Sequence, residues 1–497
     1  MDDALAQLKR HLGEIVDLGR AQAVLHWDME VFMPPTGGDS RAAQLATLAG
    51  AIHERQVDDR IGELLAEAET LAAALSAESD DACLVRVARR DWEKARRVPT
   101  ELTAEFTRVQ AQAYEAWVKA REAGDFASFR PWLERVLDLR LEYIECFAPY
   151  DDPYDVLLDD YEPGMRTDDV RAVFSRLEPE LTALVSEHAT DEVDPFAKLD
   201  YPVEALDRLS RELVERFGVT WDSFRLDTTV HPFATSFGLG DVRMTTRYTD
   251  EGFASLFTAM HECGHGLYEW GSSPTLDRTP LCGCESATLH ESQSRLWENV
   301  VGRSLPFWRW FYPRLLETFP EQLGDVPLER FHRAVNRVQR SLVRVNADET
   351  SYGLHVILRF ELEQELIAGR LAVADLPDAW NTRFEELLGI PVPDDRVGVL
   401  QDAHWAGGLL GYFPTYLLGS VVSVQIWERA KEAVPDVEEQ LEGGEFGELH
   451  AWLRESLYAL GSKFPPTETI ERVAGGPIDP EPYLAYLRGK LGALQAA

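Results

Sequence analysis

Lysine is scarce in this chain. It occurs only at Lys9, Lys94, Lys119, Lys198, Lys431, Lys463 and Lys490, so nearly all of the 49 basic side chains are arginine, and they face 86 acidic ones. The resulting formal charge of -37 excludes nucleic acid as a partner, because a phosphate backbone is held by clustered Lys and Arg that displace its counterions. The same imbalance suits a salt-adapted (halophilic) cytoplasm. At molar salt the Debye length falls to about 3 Å, which screens an acidic surface that would repel itself in dilute buffer, while its carboxylates stay hydrated. An ordinary acidic cytosolic protein is the alternative. Cysteine is sparse as well: Cys83, Cys146, Cys263, Cys282 and Cys284 are an odd number in a long chain, which argues against a disulfide framework. One long uncharged run is present, but it is interrupted. The stretch Trp405 to Trp427 is broken by Gly407, Gly408, Gly411, Pro414 and Gly419 and reads as buried core rather than a membrane span. The opening residues, MDDALAQLKRHLGEIVDLG, form an amphipathic acidic pattern without the layout of a signal peptide, so a cytoplasmic setting is expected. No period of roughly 20 to 50 residues repeats, which excludes a solenoid.

With 497 residues, 45% apolar and 10% aromatic, the chain can build one large helical body or two lobes. Helical periodicity dominates residues 1–150, as in DSRAAQLATLAGAIHERQVDDRIGELLAEAETLAAALSAE. The segment CFAPYDDPYDVLLDDYEPGM interrupts it, and helices resume at about Thr167, which makes residue 150 the expected edge of an N-terminal lobe, with 151–497 the remainder. Over about 225–248 the period changes. There FRLDTTVHPFATSFGLGDVRMTTRYT has β-branched residues and Gly-bearing turns, which predict a small antiparallel sheet. Helices return from Glu251 to the end, broken at GSSPTLDRTPLCGC and GIPVPDDRVG. The expected fold is mainly α with one small sheet.

The chemistry sits in TAMHECGHGLYE, residues 258–269. His261 and His265 lie four apart on a predicted helix, slightly more than one turn, so both imidazoles leave one face and can bind a single Zn²⁺ while Glu262 holds the attacking water. A catalytic zinc has three protein ligands and an open position. Glu291 is the best third donor: it lies 26 residues past His265, in SATLHESQSRLWEN, after a loop that lets a second helix return beside the first. His290, Glu285 and Glu298 are rivals, of which His290 points about 100° away from Glu291. Glu269 repeats the four-residue step and either orients a ligand or is a solvated charge. The cysteines lack the partner pair of a structural zinc site. Zinc lowers the pKa of bound water to about 7, so Glu262 as general base can direct hydroxide at a peptide carbonyl, and a tyrosine hydroxyl can steady the oxyanion. This chemistry alone does not separate endopeptidase, aminopeptidase and carboxypeptidase.

Further elements carry a resemblance. His231-Pro232-Phe233, Asp241-Val242-Arg243-Met244-Thr245, His261 to His265, His290-Glu291-Ser292-Gln293, Val343-Arg344-Val345-Asn346-Ala347-Asp348 and Gly398-Val399-Leu400-Gln401-Asp402-Ala403-His404-Trp405 follow in order, and LHWDMEVFMP and LLDDYEPGM fit the same pattern. Together they make the chain similar to the carboxypeptidase Taq family. That resemblance implies a large two-lobed, gluzincin-like helical metallopeptidase with a deep groove, spanning 1–497 as a single unit. It also implies a homodimer, zinc or cobalt as metal, Glu291 as third ligand, and release of single residues from peptides with a free C-terminus. Specificity would be broad, with C-terminal proline resisted. By motif position Arg344 would meet the terminal carboxylate, which suits a permanent guanidinium with paired donors. His404 and Gln401 would line the same end, and Asp402 would help restrict substrate length.

Tyr412 and Tyr416 are candidates for oxyanion and substrate contacts, or else core aromatics. The strand beginning at Arg243, with Thr245, could pair its backbone with an extended substrate. His231 is read as support for that strand, and His53, His188, His355 and His450 have no constellation. The runner-up function is an oligopeptidase or dipeptidyl carboxypeptidase with the same metal site. A peptide-binding protein without turnover is disfavoured by Glu262, since a pure binder needs no general base.

Overall fold

Apolar residues three and four apart bury one face of Val203–Phe217 (α1), where Leu206, Leu209, Leu213, Val214 and Phe217 point inward while Glu204, Arg208, Glu215 and Arg216 stay exposed. This pattern recurs throughout the computed structural model, which describes residues 4–248 and 252–496 and is mainly helical. The chain forms two compact units and enters each three times: Met1–Arg96, Asp194–Leu328 and Ile426–Gly475 in the first, Arg97–Val193, Glu329–Gln425 and Gly476–Ala497 in the second. The Pro- and Asp-rich interruption near residue 150 therefore lies inside the second unit, where Asp152 caps the short helix Pro153–Leu158.

In the first unit the helices Ala4–Val31, Asp59–Ala72 and Asp80–Arg97 share an apolar cluster that includes Leu8, Leu64, Leu65 and Leu84. After α1 come strands β1 (Phe224–Thr228), β2 (Ala234–Ser236) and β3 (Val242–Thr246). The sheet expected as antiparallel is mixed, in the order β1-β3-β2: β1 runs parallel to β3, with Leu226 opposite Met244, and β2 is antiparallel to it, with Thr235 opposite Arg243. The reason lies in the connections. A tight turn at Phe237–Asp241 makes β2 and β3 a hairpin, while His231-Pro232-Phe233 carries the chain past β1's edge, so β3 inserts between its predecessors.

Helix α2 (Ala254–Gly271) lies on this sheet, where a Cβ at Gly266 would touch Met244 and Phe224 at 3.2 Å. The expected start at Glu251 lies outside the described residues. The loop that follows α2 is anchored by Leu276 and Leu281, which join the N-terminal apolar cluster. Helix α3 (Ala287–Arg295), capped by the Ser286 hydroxyl accepting from the Leu289 amide, runs into a π-helical turn over Leu296–Val301. Trp297 in that turn packs on Phe217, with ring centroids 4.5 Å apart.

In the second unit α4 (Tyr352–Ile367) is buried on nearly all sides, so its periodicity is invisible as amphipathicity. Its Phe360 packs on Tyr154 and Phe174. An irregular segment, residues 389–412, leads to α5 (Phe413–Ala433). The uncharged stretch from Trp405 is thus loop plus helix, and no helix among the described residues is long and apolar enough to cross a membrane.

Candidate metal centre

Helical geometry alone brings His261 and His265 to one face of α2, one turn apart. Glu291 reaches them because α3 approaches α2 unusually closely. At Gly264 a Cβ would stand 2.5 Å from the Gln293 carbonyl oxygen and 2.7 Å from Ser294 Cα, so the residue just before His265 has no room for a side chain. His261 Nε2 lies 3.7 Å and His265 Nε2 3.4 Å from Glu291 Oε2, and the three donor atoms fall within 4.8 Å of one another. Four tetrahedral ligands at about 2.0–2.2 Å from a zinc-sized cation are about 3.3–3.6 Å apart, so the donor set fits such an ion with little adjustment.

Both histidines turn Nε2 to this point, and each Nδ1 is engaged elsewhere. His261 Nδ1 donates to Glu298 Oε2 at 2.9 Å. Glu298 stands in the π-helical turn, seven residues past Glu291 and so on the same face, and Arg303 Nη2 donates to its other oxygen at 3.3 Å. Arg295 bridges the two carboxylates, with Nε donating to Glu291 at 2.7 Å and Nη1 to Glu298 at 3.4 Å. His265 Nδ1 bonds His290 Nδ1, and His290 Nε2 in turn donates to Glu269 Oε1 at 2.9 Å. Of the rivals for third ligand, His290 and Glu298 thus stand behind the two histidines, whereas Glu285 is paired with Arg90. Glu269 reaches His265 only through His290.

Burial raises the carboxyls here, and the surrounding cations decide which stay ionised. Glu291 falls well below its ordinary range, because Arg295 and both histidines outweigh its burial, and Glu298 falls to about 2 for similar reasons. For Glu262 the pull of His261 and His290 does not outweigh burial and the like charges of Glu291 and Glu298. Burial pushes its carboxyl from 4.5 up to about 7, and its Oε2 is buried without a hydrogen bond. Before a cation enters, burial also lowers His265 to about 4, which leaves Nε2 free to act as a ligand near neutral pH.

A second cluster stands in the other unit. Arg344, 6% exposed in a short 3₁₀ turn, donates from Nε and Nη2 to Asp402 Oδ1 at 3.1 and 2.7 Å and from Nη1 to the Tyr352 hydroxyl at 3.0 Å. Its guanidinium lies 5.0 Å from the Tyr416 ring centroid. Asp402 Oδ2 accepts from Arg359 Nε at 2.8 Å and from Nη2 at 2.5 Å, so one carboxylate is shared by two guanidiniums. His404 Nε2 lies 3.2 Å from the Tyr416 hydroxyl, and the Tyr412 and Tyr416 rings meet edge to face at 5.1 Å. Burial and the two arginines hold His404 down at about 3 against the pull of Asp402, so it is neutral.

The structure corrects several expectations. Thr245 is fully buried, its hydroxyl bonded to the backbone of Phe233, and β3 has a strand on each side, so neither can meet an extended substrate; the sheet's edges belong to β1 and β2. Arg243 is held by Asp241 and lies over Trp27 at 4.6 Å. Gln401 fastens its own loop, accepting from the Arg344 amide and donating to the Val397 carbonyl, which leaves no amide atom for substrate. Asp402 is the clamp on Arg344. His231 is exposed in the loop between β1 and β2. Sequence reasoning missed Tyr352, Arg359 and Glu363, which follow one face of α4. Glu363 accepts from Trp405 Nε1 at 2.7 Å and the Gly411 amide at 2.9 Å, pinning the loop just after His404. The signal was present: a charged residue at each of two positions four apart inside the apolar run YGLHVILRFELEQ.

Comparison with known proteins agrees with this geometry. Residues 7–491 match the family model described as carboxypeptidase Taq (M32) metallopeptidase. The chain is 42% identical to thermostable carboxypeptidase 1 of Thermus thermophilus over 99% of its own length and 98% of the relative's. Among solved structures, an M32 carboxypeptidase from Deinococcus radiodurans R1 superposes with a TM-score of 0.95 at 42% identity, covering 100% of both chains. A Pyrococcus furiosus carboxypeptidase superposes at 0.94 with 35% identity and 99% of each chain covered.

Proposed function

The chain belongs to the carboxypeptidase Taq (M32) metallopeptidase family and is a peptide hydrolase, and from that premise we propose that it releases single residues, with broad specificity, from peptides bearing a free C-terminus. His261, His265 and Glu291 would hold the metal, zinc or alternatively cobalt. A divalent cation bound there supplies Lewis acidity and brings a water's pKa to about 7. Everything else falls to this chain's own side chains. Glu262 Oε2, buried and unpartnered, accepts a proton from the attacking water, and the same carboxyl delivers it to the nitrogen of the leaving amine. A base raised to about 7 is poised for both transfers.

The observation that carries the C-terminal reading is the charge of the second cluster. Two buried guanidiniums, Arg344 and Arg359, share a single carboxylate, Asp402, and His404 beside them is neutral, so the cluster holds one positive charge that a substrate carboxylate would balance. Tyr416 lies beside the Arg344 guanidinium, its hydroxyl 3.2 Å from His404 Nε2, and Tyr412 packs on Tyr416. A tyrosine of this pair is the proposed oxyanion donor. The same reading includes a homodimer, measurable by light scattering, and a salt-adapted cytoplasmic setting.

Mass spectrometry of an unblocked peptide incubated with the Zn²⁺- or Co²⁺-loaded protein tests the proposal. A ladder of single C-terminal losses, abolished by chelator and by Glu262→Gln, is the expected result. Loss of dipeptides or internal cuts would instead establish an oligopeptidase or dipeptidyl carboxypeptidase and remove Arg344 as the carboxylate anchor.

A further inference from the structure

The two histidines of the metal centre are backed differently. Behind His261 stands a carboxylate in direct contact, Glu298, itself held by Arg295 and Arg303. Behind His265 stands another imidazole, and the carboxylate comes one place later: His265 Nδ1 to His290 Nδ1, His290 Nε2 to Glu269 Oε1, and Ser236 Oγ donating to Glu269 Oε2 at 2.7 Å. The line runs from α2 through α3 and back to α2 and ends on the edge strand β2. Its members are tightly placed. The His265 and His290 ring centroids are 4.6 Å apart, Tyr268 stacks on His290 at 5.5 Å and 24°, and Gly283, at φ +87°, lets the loop backbone close on the Glu269 carboxylate, 3.1 Å from where a Cβ would be.

The geometry points to His290 as a positioning residue for His265, fixed in turn by Glu269 and Ser236. With His265 Nε2 bare for a metal, a single arrangement of protons satisfies the line. Glu269 accepts at both oxygens, so His290 carries its proton on Nε2 and offers the Nδ1 lone pair, and His265 must then carry its own on Nδ1 and leave Nε2 bare for a metal. Both nitrogens of His290 are used, so it is no ligand itself. The intervening imidazole also has a consequence for charge. A carboxylate directly behind a ligand makes that ligand more basic and the metal less acidic. The first three groups around the cation already include Glu291, with Glu262 and Glu298 alongside, and His290 keeps a fourth negative charge one ring further out while still fixing the tautomer.

This inference rests on His265 being a metal ligand, and the test separates the two. The readouts are Zn²⁺ affinity by chelator competition and the visible absorption of the Co²⁺-loaded protein, with peptide cleavage as a third. His290→Phe keeps the ring on Tyr268 but offers no acceptor; His290→Asn loses the ring but places a carbonyl oxygen near the old Nδ1. We expect His290→Phe to weaken Zn²⁺ binding by about 10- to 100-fold and to shift the Co²⁺ bands, and His290→Asn to recover most of both. Glu269→Ala should weaken binding in the parent protein and add nothing in the His290→Phe background, because it acts through the ring. Parent-like affinity in His290→Phe, better recovery by Phe than by Asn, or additive effects of Glu269→Ala would overturn the positioning role. Unchanged affinity in His265→Ala would overturn the ligand assignment itself, and the inference with it.

Discussion

Replacing Glu262 by Gln should abolish turnover and, in the metal-free protein, make the fold more stable at alkaline pH. The carboxyl is raised from 4.5 to about 7 by burial with no hydrogen bond at Oε2, and it faces Glu291 and Glu298. A folded pKa above the unfolded one means that the folded chain keeps a proton the unfolded chain has lost. The associated stability is complete below about pH 4.5, declines as pH rises, and is gone above about 7. At pH 8 the ionised carboxylate therefore costs roughly 3 kcal/mol. An amide in the same place has no charge to desolvate but leaves buried N–H donors, worth about 1–2 kcal/mol against it. The net gain for Glu262→Gln is about 1–2 kcal/mol at pH 8, and the amide penalty alone remains at pH 4.5. The assay is a denaturant midpoint for both metal-free proteins at the two pH values, beside cleavage rates of the metal-loaded forms, where removing the general base costs about 10²–10⁴-fold. If the variant gains nothing on moving from pH 4.5 to pH 8, the reasoning from burial fails.

Three further perturbations follow. Gly264→Ala sets a methyl 2.5 Å from the Gln293 carbonyl oxygen, so we expect about 1–3 kcal/mol of destabilisation and weaker Zn²⁺ retention, read by melting and by metal analysis after dialysis. Arg359→Met takes both donors from Asp402 Oδ2, at a cost of about 1–3 kcal/mol of stability, and removes the cluster's surplus positive charge while Asp402 stays paired with Arg344; KM for peptides should then rise more than kcat falls, as steady-state kinetics would show. If the -37 charge reflects salt adaptation, denaturation midpoints and activity should both climb from dilute buffer to molar KCl; an optimum in dilute buffer would contradict it.

The metal motif was legible because its geometry is local: four residues along a helix place His261 and His265 together whatever surrounds them. Glu291 was readable for a related reason, since the loop after His265 limits where α3 can return. The mixed sheet was not. Alternation and turn residues announce strands, and nothing in them says that β3 will lie between β1 and β2, which takes Thr245 and the β3 backbone out of reach of a substrate. The Arg344 clamp was half visible, through a motif that names Arg344 and Asp402 but not Arg359.

The sequence by itself thus determined the helical class, the spacing of the candidate ligands and the place of the carboxyl proposed as general base, all properties of a few neighbouring residues and their period. Tertiary structure decided what stands behind each ligand. Glu298 behind His261, His290 and Glu269 behind His265, and Arg359 behind Asp402 are hydrogen-bonded across 37, 25, 21 and 43 positions of sequence. Such pairings obey no local period. They follow from which helices pack together, and here Gly264 shows how much that packing can turn on one missing side chain.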